Sequence, residues 1–316
     1  MDFLKNKFNN YYYNKEQIKD MYKIKGDRVI LYISSFVMAN ITNNLKNYLE
    51  NRTGMNIDEN VKVAYESKIE TLKWFEKLLK SNTNTTIIYR PHPAENNDDY
   101  LYKLEKKYEN FKVINDFSVK QWIKVSDDVF TWFSTSIVEA YFANKNCGII
   151  RPIKIEEELD AVIYKGAKII DNYSDFEEYL KGNYKTGISI DERLIQDYYD
   201  VTDIPSYIRI SNILEEVLET NKYDLPQKVK YRINLKDILK PIIKHIIVNF
   251  KIADKPGLFK YNSRAKKWLL SFKEHRIRCE KDIASIEEIN LISTKIKDVL
   301  IEFDSHCPNV NNYLKK

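Results

Sequence analysis

The chain has 316 residues, 43% of them hydrophobic, with a formal net charge of +5 and a negative mean hydropathy. That is enough chain for one large domain or two modest ones with a full core. It holds no run of about 18–20 apolar residues that would span a membrane. The start, Met1-Asp2-Phe3-Leu4-Lys5, lacks the apolar core of a signal peptide, so the expected location is the cytoplasm.

Three scattered cysteines, Cys147, Cys279 and Cys307, make neither a zinc spacing nor a disulfide framework. Only 7 glycines occur, against an average usage of about 7%. Neither GxGxxG nor GxxxxGK[ST] is present, which removes most support for kinase, P-loop NTPase and ordinary dinucleotide-binding readings.

Val29–Ile33 is an apolar run with a small polar exit, Ser34-Ser35-Phe36, and predicts a buried parallel strand. A helical pattern follows over Val61–Lys80, with Ile69, Leu72, Trp74, Phe75, Leu78 and Leu79 on its apolar side. Thr85–Tyr89 predicts the next strand. Arg90-Pro91-His92-Pro93 must end it, because proline cannot continue a central ladder. A charged helix over Asp98–Tyr108, a strand over Phe111–Ile114 and a short helix over Val119–Val125 come next. Asp128–Trp132 is a strand, Ile137–Ala143 a helix, and Cys147–Ile150 a strand closed by Arg151-Pro152. Lys168–Ile170 is a weak last strand before a helix over Asp175–Leu180.

This alternation predicts right-handed βαβ units and a Rossmann-like parallel sheet over residues 27–185, after a helical lead-in over 1–26. Residues 186–316 read as a helical extension, with helices over Ile208–Thr220, Leu235–Phe250, Leu258–Arg278 and Ile283–Phe303. Residues 232–281 carry 14 Lys/Arg against 4 Asp/Glu, an excess of +10 that leaves −5 for the rest of the chain. Such a block suits an anionic membrane surface or is a solvated helix face. No recognition motif accompanies it, so nucleic acid is not expected as a partner.

In open α/β sheets ligands bind beyond the carboxyl ends of strands. Arg90 and His92 would lie there, both offering donors to a phosphate, with Pro93 stiffening their backbone. One hydroxyl of Ser134-Thr135-Ser136 would cap the helix near Ile137, whose first N–H groups make an anion site. Glu139, one turn in, would accept from ribose hydroxyls, or else is a capping or solvent-facing glutamate. Ser34, Ser35 and Asn40 either line the same cleft or are turn residues. Asp127-Asp128 precede a strand and belong to the opposite edge, so they are discounted as a metal pair. No cluster has metal spacing, and a metal-independent mechanism is expected.

Tyr89-Arg90-Pro91-His92-Pro93-Ala94-Glu95, followed by Thr131-Trp132-Phe133-Ser134-Thr135-Ser136-Ile137-Val138-Glu139-Ala140, resembles bacterial surface-carbohydrate biosynthesis proteins of the GT-B glycosyltransferase type. The pair is similar to the His-Pro and Ser-Ser/Thr motifs of sialyl-, polysialyl- and capsule-type Kdo transferases. Similar elements occur in CDP-glycerol polymerases of teichoic acid synthesis. The resemblance covers residues 20–185. It implies a CMP-activated donor whose phosphate is bound by His92 and the 134–136 turn and whose ribose is bound by Glu139. His92, Arg90 and the helix N-terminus would stabilise the charge built on the departing phosphate. The acceptor would be a glycan or lipid-linked glycan at the inner face of the membrane.

Only 28 residues precede the first strand, too few for a second Rossmann-like domain. The expectation is therefore the donor-binding half of such an enzyme, with the second wall of the cleft supplied either by a partner chain or by the helical extension. A CDP-alditol phosphotransferase and a non-catalytic nucleotide- or partner-binding remnant are the alternatives.

Overall fold

The computed structural model describes residues 6–53, 57–95, 99–156, 160–165, 167–182, 191–199, 202, 204–220 and 285–306. The chain divides into two compact units, Met1–Pro205 and Ser206–Lys316. Unit 1 opens with α1 (Lys15–Tyr22), closed into a capping box by Asn14 and Gln17, and enters β1 (Arg28–Ile33). Then come α2 (Asn43–Thr53), α3 (Ile57–Ser81), β2 (Thr85–Arg90), α4 (Asp99–Lys107), β3 (Phe111–Val113) and α5 (Val119–Val125). β4 (Asp128–Thr131), α6 (Ser136–Phe142), β5 (Asn146–Ile150), β6 (Ile169–Ile170), α7 (Tyr173–Leu180) and α8 (Glu192–Tyr198) complete it.

All six strands run parallel in the order β3-β2-β1-β4-β5-β6, the doubly wound arrangement. β1 shows why its sequence is an unbroken apolar run. Ile30 and Tyr32 join one core layer, with Leu72 and Phe75 of α3, Leu104 of α4 and Phe176 of α7. Val29, Leu31 and Ile33 join the other, with Ile18 of α1, Trp122 of α5, Ile137 of α6 and Ile195 of α8. Both faces are covered, so both sets of alternate residues must be apolar. The chain leaves β1 toward β2 and β3, then returns across the other face through α5 to place β4 on β1's free side. The carboxyl ends of β1 and β4 are thus a topological switch point, where the flanking connections diverge and leave a crevice.

Gly26 makes the tight entry to β1. Its φ is +87°, and an added Cβ would stand 2.4 Å from the Asn84 carbonyl oxygen. The same carbonyl accepts from the Asp27 and Arg28 N–H groups, so backbone approach here requires a residue without a side chain. Asp127 and Asp128 lie at this amino-terminal edge, as expected. Asp127 pairs with Lys15 and Asp128 with Arg28.

α3 and α4 are joined by Glu76, which accepts from Lys107, Tyr108 and Tyr100. The Lys107 contact is foremost in lowering the Glu76 carboxyl from its ordinary 4.5 to about 2. A folded-state value below the unfolded one gives stability that is present above about pH 4.5 and lost as pH falls toward about 2. Glu76→Gln is therefore expected to flatten the acid limb of stability between those two values while leaving its neutral-to-alkaline slope unchanged. Urea midpoints measured against pH check this.

Unit 2 is helical among its described residues: α9 (Ser206–Thr220), α10 (Ile286–Lys295) and α11 (Lys297–His306). Tyr207 of α9 donates to Glu302 of α11 at 2.7 Å. The helix expected over 283–303 is thus two, broken at Ile296. The helices expected over 235–250 and 258–278, the basic block 232–281, Cys279 and Cys307 lie outside the described residues.

Candidate functional site

The carboxyl edge of the sheet gathers three strand exits. Ser34 N–H donates to the Arg90 carbonyl at 2.9 Å, tying the end of β1 to that of β2. Phe133 N–H donates to Ser35 Oγ at 3.0 Å, tying the end of β4 to that of β1.

His92-Pro93-Ala94-Glu95 is a tight turn closed by Glu95 N–H to the His92 carbonyl at 2.8 Å. Pro93 occupies the second position, whose φ its ring presets. It is exposed and has no N–H, so its contribution is the shape of the turn. Ala94 N–H donates to His92 Nδ1 at 3.1 Å. An N–H aimed at Nδ1 requires a lone pair there, so the ring carries its proton on Nε2 and presents Nε2–H outward as a donor. His92 is exposed at the edge, where a ligand can reach it.

Arg90 is half-buried, and its guanidinium donates to the carbonyls of Asp116 at 2.8 Å and Phe117 at 2.5 Å. Burial pushes its pKa down from the ordinary value while Asp116 opposes that. The cation is fixed in place with part of its donor fork already used.

Ser34 differs from expectation. It is 2% exposed, and its hydroxyl donates to Glu95 Oε2 at 2.5 Å and meets Tyr89 Oη at 2.7 Å. It faces the core rather than the cleft. Ser35 remains in the cleft and is half-buried.

In the 134–136 turn, Thr135 is the N-cap residue, in an αR conformation, and makes no side-chain cap. Ser134 Oγ instead accepts from Ser136 N–H at 3.3 Å. α6 is only seven residues long, so its dipole is small. Glu139 is engaged by Lys120 of α5 at 2.9 Å.

A cavity of about 290 Å³ opens at the switch point, lined by Ser35, Met38, Val63, Trp132, Phe133 and Ile155, with Glu59, Asn60, Lys154 and Glu156 around them. Its size is at the lower end for ligand pockets. Among the expected site residues Ser35 lines it; His92, Arg90, Ser134 and Glu139 do not. Among the described residues no group of three His, Cys, Asp or Glu forms a metal centre.

Two residues of this edge escaped the sequence reading. Arg151, at the exit of β5, is 4% exposed and forks onto Asp160. It donates through Nε to the Trp132 carbonyl at 3.2 Å and lies over the Tyr164 ring. The Arg151-Pro152 strand stop was its only signal. Arg151→Met should cost about 2 kcal/mol, since a charged partner of Asp160 and a donor to the β4 exit are lost together. Thermal unfolding measures it.

The second is Glu95. Its carboxylate accepts from Tyr89 Oη at 2.8 Å, Ser34 Oγ at 2.5 Å and His92 N–H at 3.3 Å, and pairs with Lys68 Nζ of α3 at 3.0 Å. Both side chains of that ion pair are fully buried.

The fold and this edge together define a doubly wound α/β domain with a preformed crevice and a donor-bearing turn at its switch point. No family model matches the chain, and no curated protein matches it. Among solved structures it is similar to a variant of the wall teichoic acid polymerase TagF soaked with CDPG, at 15% identity and a TM-score of 0.36. That match covers 70% of this chain and 50% of the other. A second soak of the same polymerase matches at 17% identity over 60% of this chain and 38% of that one, with a TM-score of 0.32. MnaA from S. aureus, in complex with UDP, matches at 19% identity over 56% and 40%, with a TM-score of 0.31. The chain spans half or less of the length of each. Likeness at this level carries no argument about chemistry.

Proposed function

We propose that unit 1 binds a nucleotide-activated donor at the β1–β4 switch point and is the donor-binding half of a GT-B glycosyltransferase of bacterial surface-glycan synthesis. One observation carries the reading: the His92 turn and the β4 exit converge on the end of β1, one through the Ser34–Arg90 bond and the other through the Ser35–Phe133 bond. The cavity beside Ser35 would take an apolar, planar part of the nucleotide, and His92 Nε2–H a phosphate oxygen. Arg90 adds fixed positive charge. The 134–136 turn would supply backbone donors, and Glu139 would meet the ribose after parting from Lys120.

Breaking the bond between sugar and phosphate leaves an added negative charge on the phosphate. Donors already in position stabilise that charge without reorganisation, and the step needs no metal. The donor is a CMP-linked nonulosonic acid or Kdo, and the acceptor a glycan or lipid-linked glycan. The basic block 232–281 holds the protein to the anionic inner face of the membrane.

Calorimetric titration with CMP, CDP and UDP tests the reading. A cytidine nucleotide binding more tightly than UDP is the expected result. A folded protein that binds none of the three would sink it.

A further inference from the structure

We infer that Glu95 is a positioning residue that sets the place and the tautomer of His92 from inside the core, an inference that rests on the donor-binding reading of His92. The geometry gives it that role. Glu95 is the last residue of the His92 turn, and its own N–H closes that turn on the His92 carbonyl. Its carboxylate reaches back under the turn to the His92 N–H. The other contacts fix the carboxylate from three separate elements: Ser34 beyond β1, Tyr89 in β2 and Lys68 in α3.

Three hydrogen bonds and one ion pair converge on two buried oxygens, so the carboxylate has one position. The turn hung on it has one position as well. With the turn closed, Ala94 N–H meets Nδ1, which leaves Nε2 to carry the ring proton. A solvent-exposed ring is thereby oriented by a fully buried charge.

Glutamine in place of Glu95 offers one acceptor oxygen where there were two. Lys68 requires that oxygen on the Tyr89 side, so the amide NH₂ must face the His92 N–H, donor against donor. The turn then loosens while the sheet keeps its other bonds.

The test uses the full chain with ¹⁵N-labelled histidine. The sequence has four histidines, so His92→Ala assigns the signal. At about pH 9, where an ordinary imidazole is neutral, the wild-type ring should show a single Nε2–H tautomer. Glu95→Gln should give a mixture of tautomers and weaken nucleotide binding by about tenfold. Adding His92→Ala to Glu95→Gln should then cost far less than His92→Ala alone, because the two act through one contact. Ser34→Ala, which leaves no charge unpaired, should shift the tautomer ratio the same way by less.

If Glu95→Gln fails to fold, Lys68→Met with Glu95→Met removes the buried ion pair whole and leaves no side-chain acceptor for the His92 N–H. A folded variant whose His92 tautomer matches wild type overturns the inference. Absence of nucleotide binding in the wild type would instead strike the donor-binding reading, and the tautomer measurement would still judge Glu95.

Discussion

Lys68→Met lowers the free energy of unfolding by about 3–5 kcal/mol. Methionine nearly matches lysine in length and leaves little void, so the loss is electrostatic. The Glu95 carboxylate stays fully buried with its cation gone, and the remaining donors, Tyr89, Ser34 and the His92 N–H, are neutral. Adding Glu95→Gln to Lys68→Met should recover most of the loss, because an unpaired charge costs more than an absent pair. Glu95→Gln alone should cost nearly as much as Lys68→Met, since it removes the negative charge that faces the buried Lys68 cation. Urea midpoints of the four proteins close this cycle. Additive losses would mean that the two side chains do not share one energy and that the pair does not hold the turn.

The same pair shows where the sequence is legible and where it is not. β1, β2, β4 and β5 were readable as apolar runs because strands covered on both faces keep no polar alternation. Arg-Pro-His-Pro was readable as a strand stop because proline removes a ladder donor. Those two facts place His92 at the carboxyl edge, and the sheet has it there.

What a strand's own residues do not encode is its neighbour. β4 lies on β1 although β3 precedes it, an order set by the return of α5 across the other face. That order turns the exits of β1 and β4 into a crevice. The roles of Ser34 and Glu95 depend on partners 61 residues apart and could not be read locally. Ser34 looked like a cleft residue because its type suits one. Tyr89 and Glu95 draw its hydroxyl inward instead.

Lys68 did leave a signal. It falls on the stripe 68, 71, 72, 75, 79, the helical spacing that buries Leu72, Phe75 and Leu79. Ile69, read as part of the apolar side, is only half-buried, while Ser67, Lys68 and Thr71 are buried. A lysine in the middle of a buried stripe predicts a buried acid opposite it, and Glu95 is that acid. The helix N-terminus of the 134–136 turn was readable as a start but not as a strong anion site. Its seven-residue length follows from the turn at Ala143 and Asn144, where Asn144 takes a φ of +53°.

On the proposed donor-binding function, His92→Ala should reduce nucleotide affinity by about tenfold to a hundredfold, the range of one hydrogen bond to a charged phosphate. The fold should barely notice. The ring is exposed, and Ala94 N–H, which it accepts from, is exposed too and can turn to water. Stability should therefore stay within about 0.5 kcal/mol of wild type. Loss of affinity with stability unchanged separates a ligand contact from a structural one.

A nucleoside separates the phosphate from the base. Cytidine lacks the phosphate and should bind wild type and His92→Ala equally weakly, through the cavity beside Ser35 alone. Replacing Val63, in the cavity wall, by tryptophan should instead weaken cytidine and CMP by the same factor. If His92→Ala weakens cytidine as much as CMP, the ring is not a phosphate donor. If Val63→Trp leaves both untouched, the base lies elsewhere along the edge. The two variants would therefore divide the proposed nucleotide between the turn after β2, which offers the His92 donor, and the apolar crevice between β1 and β4.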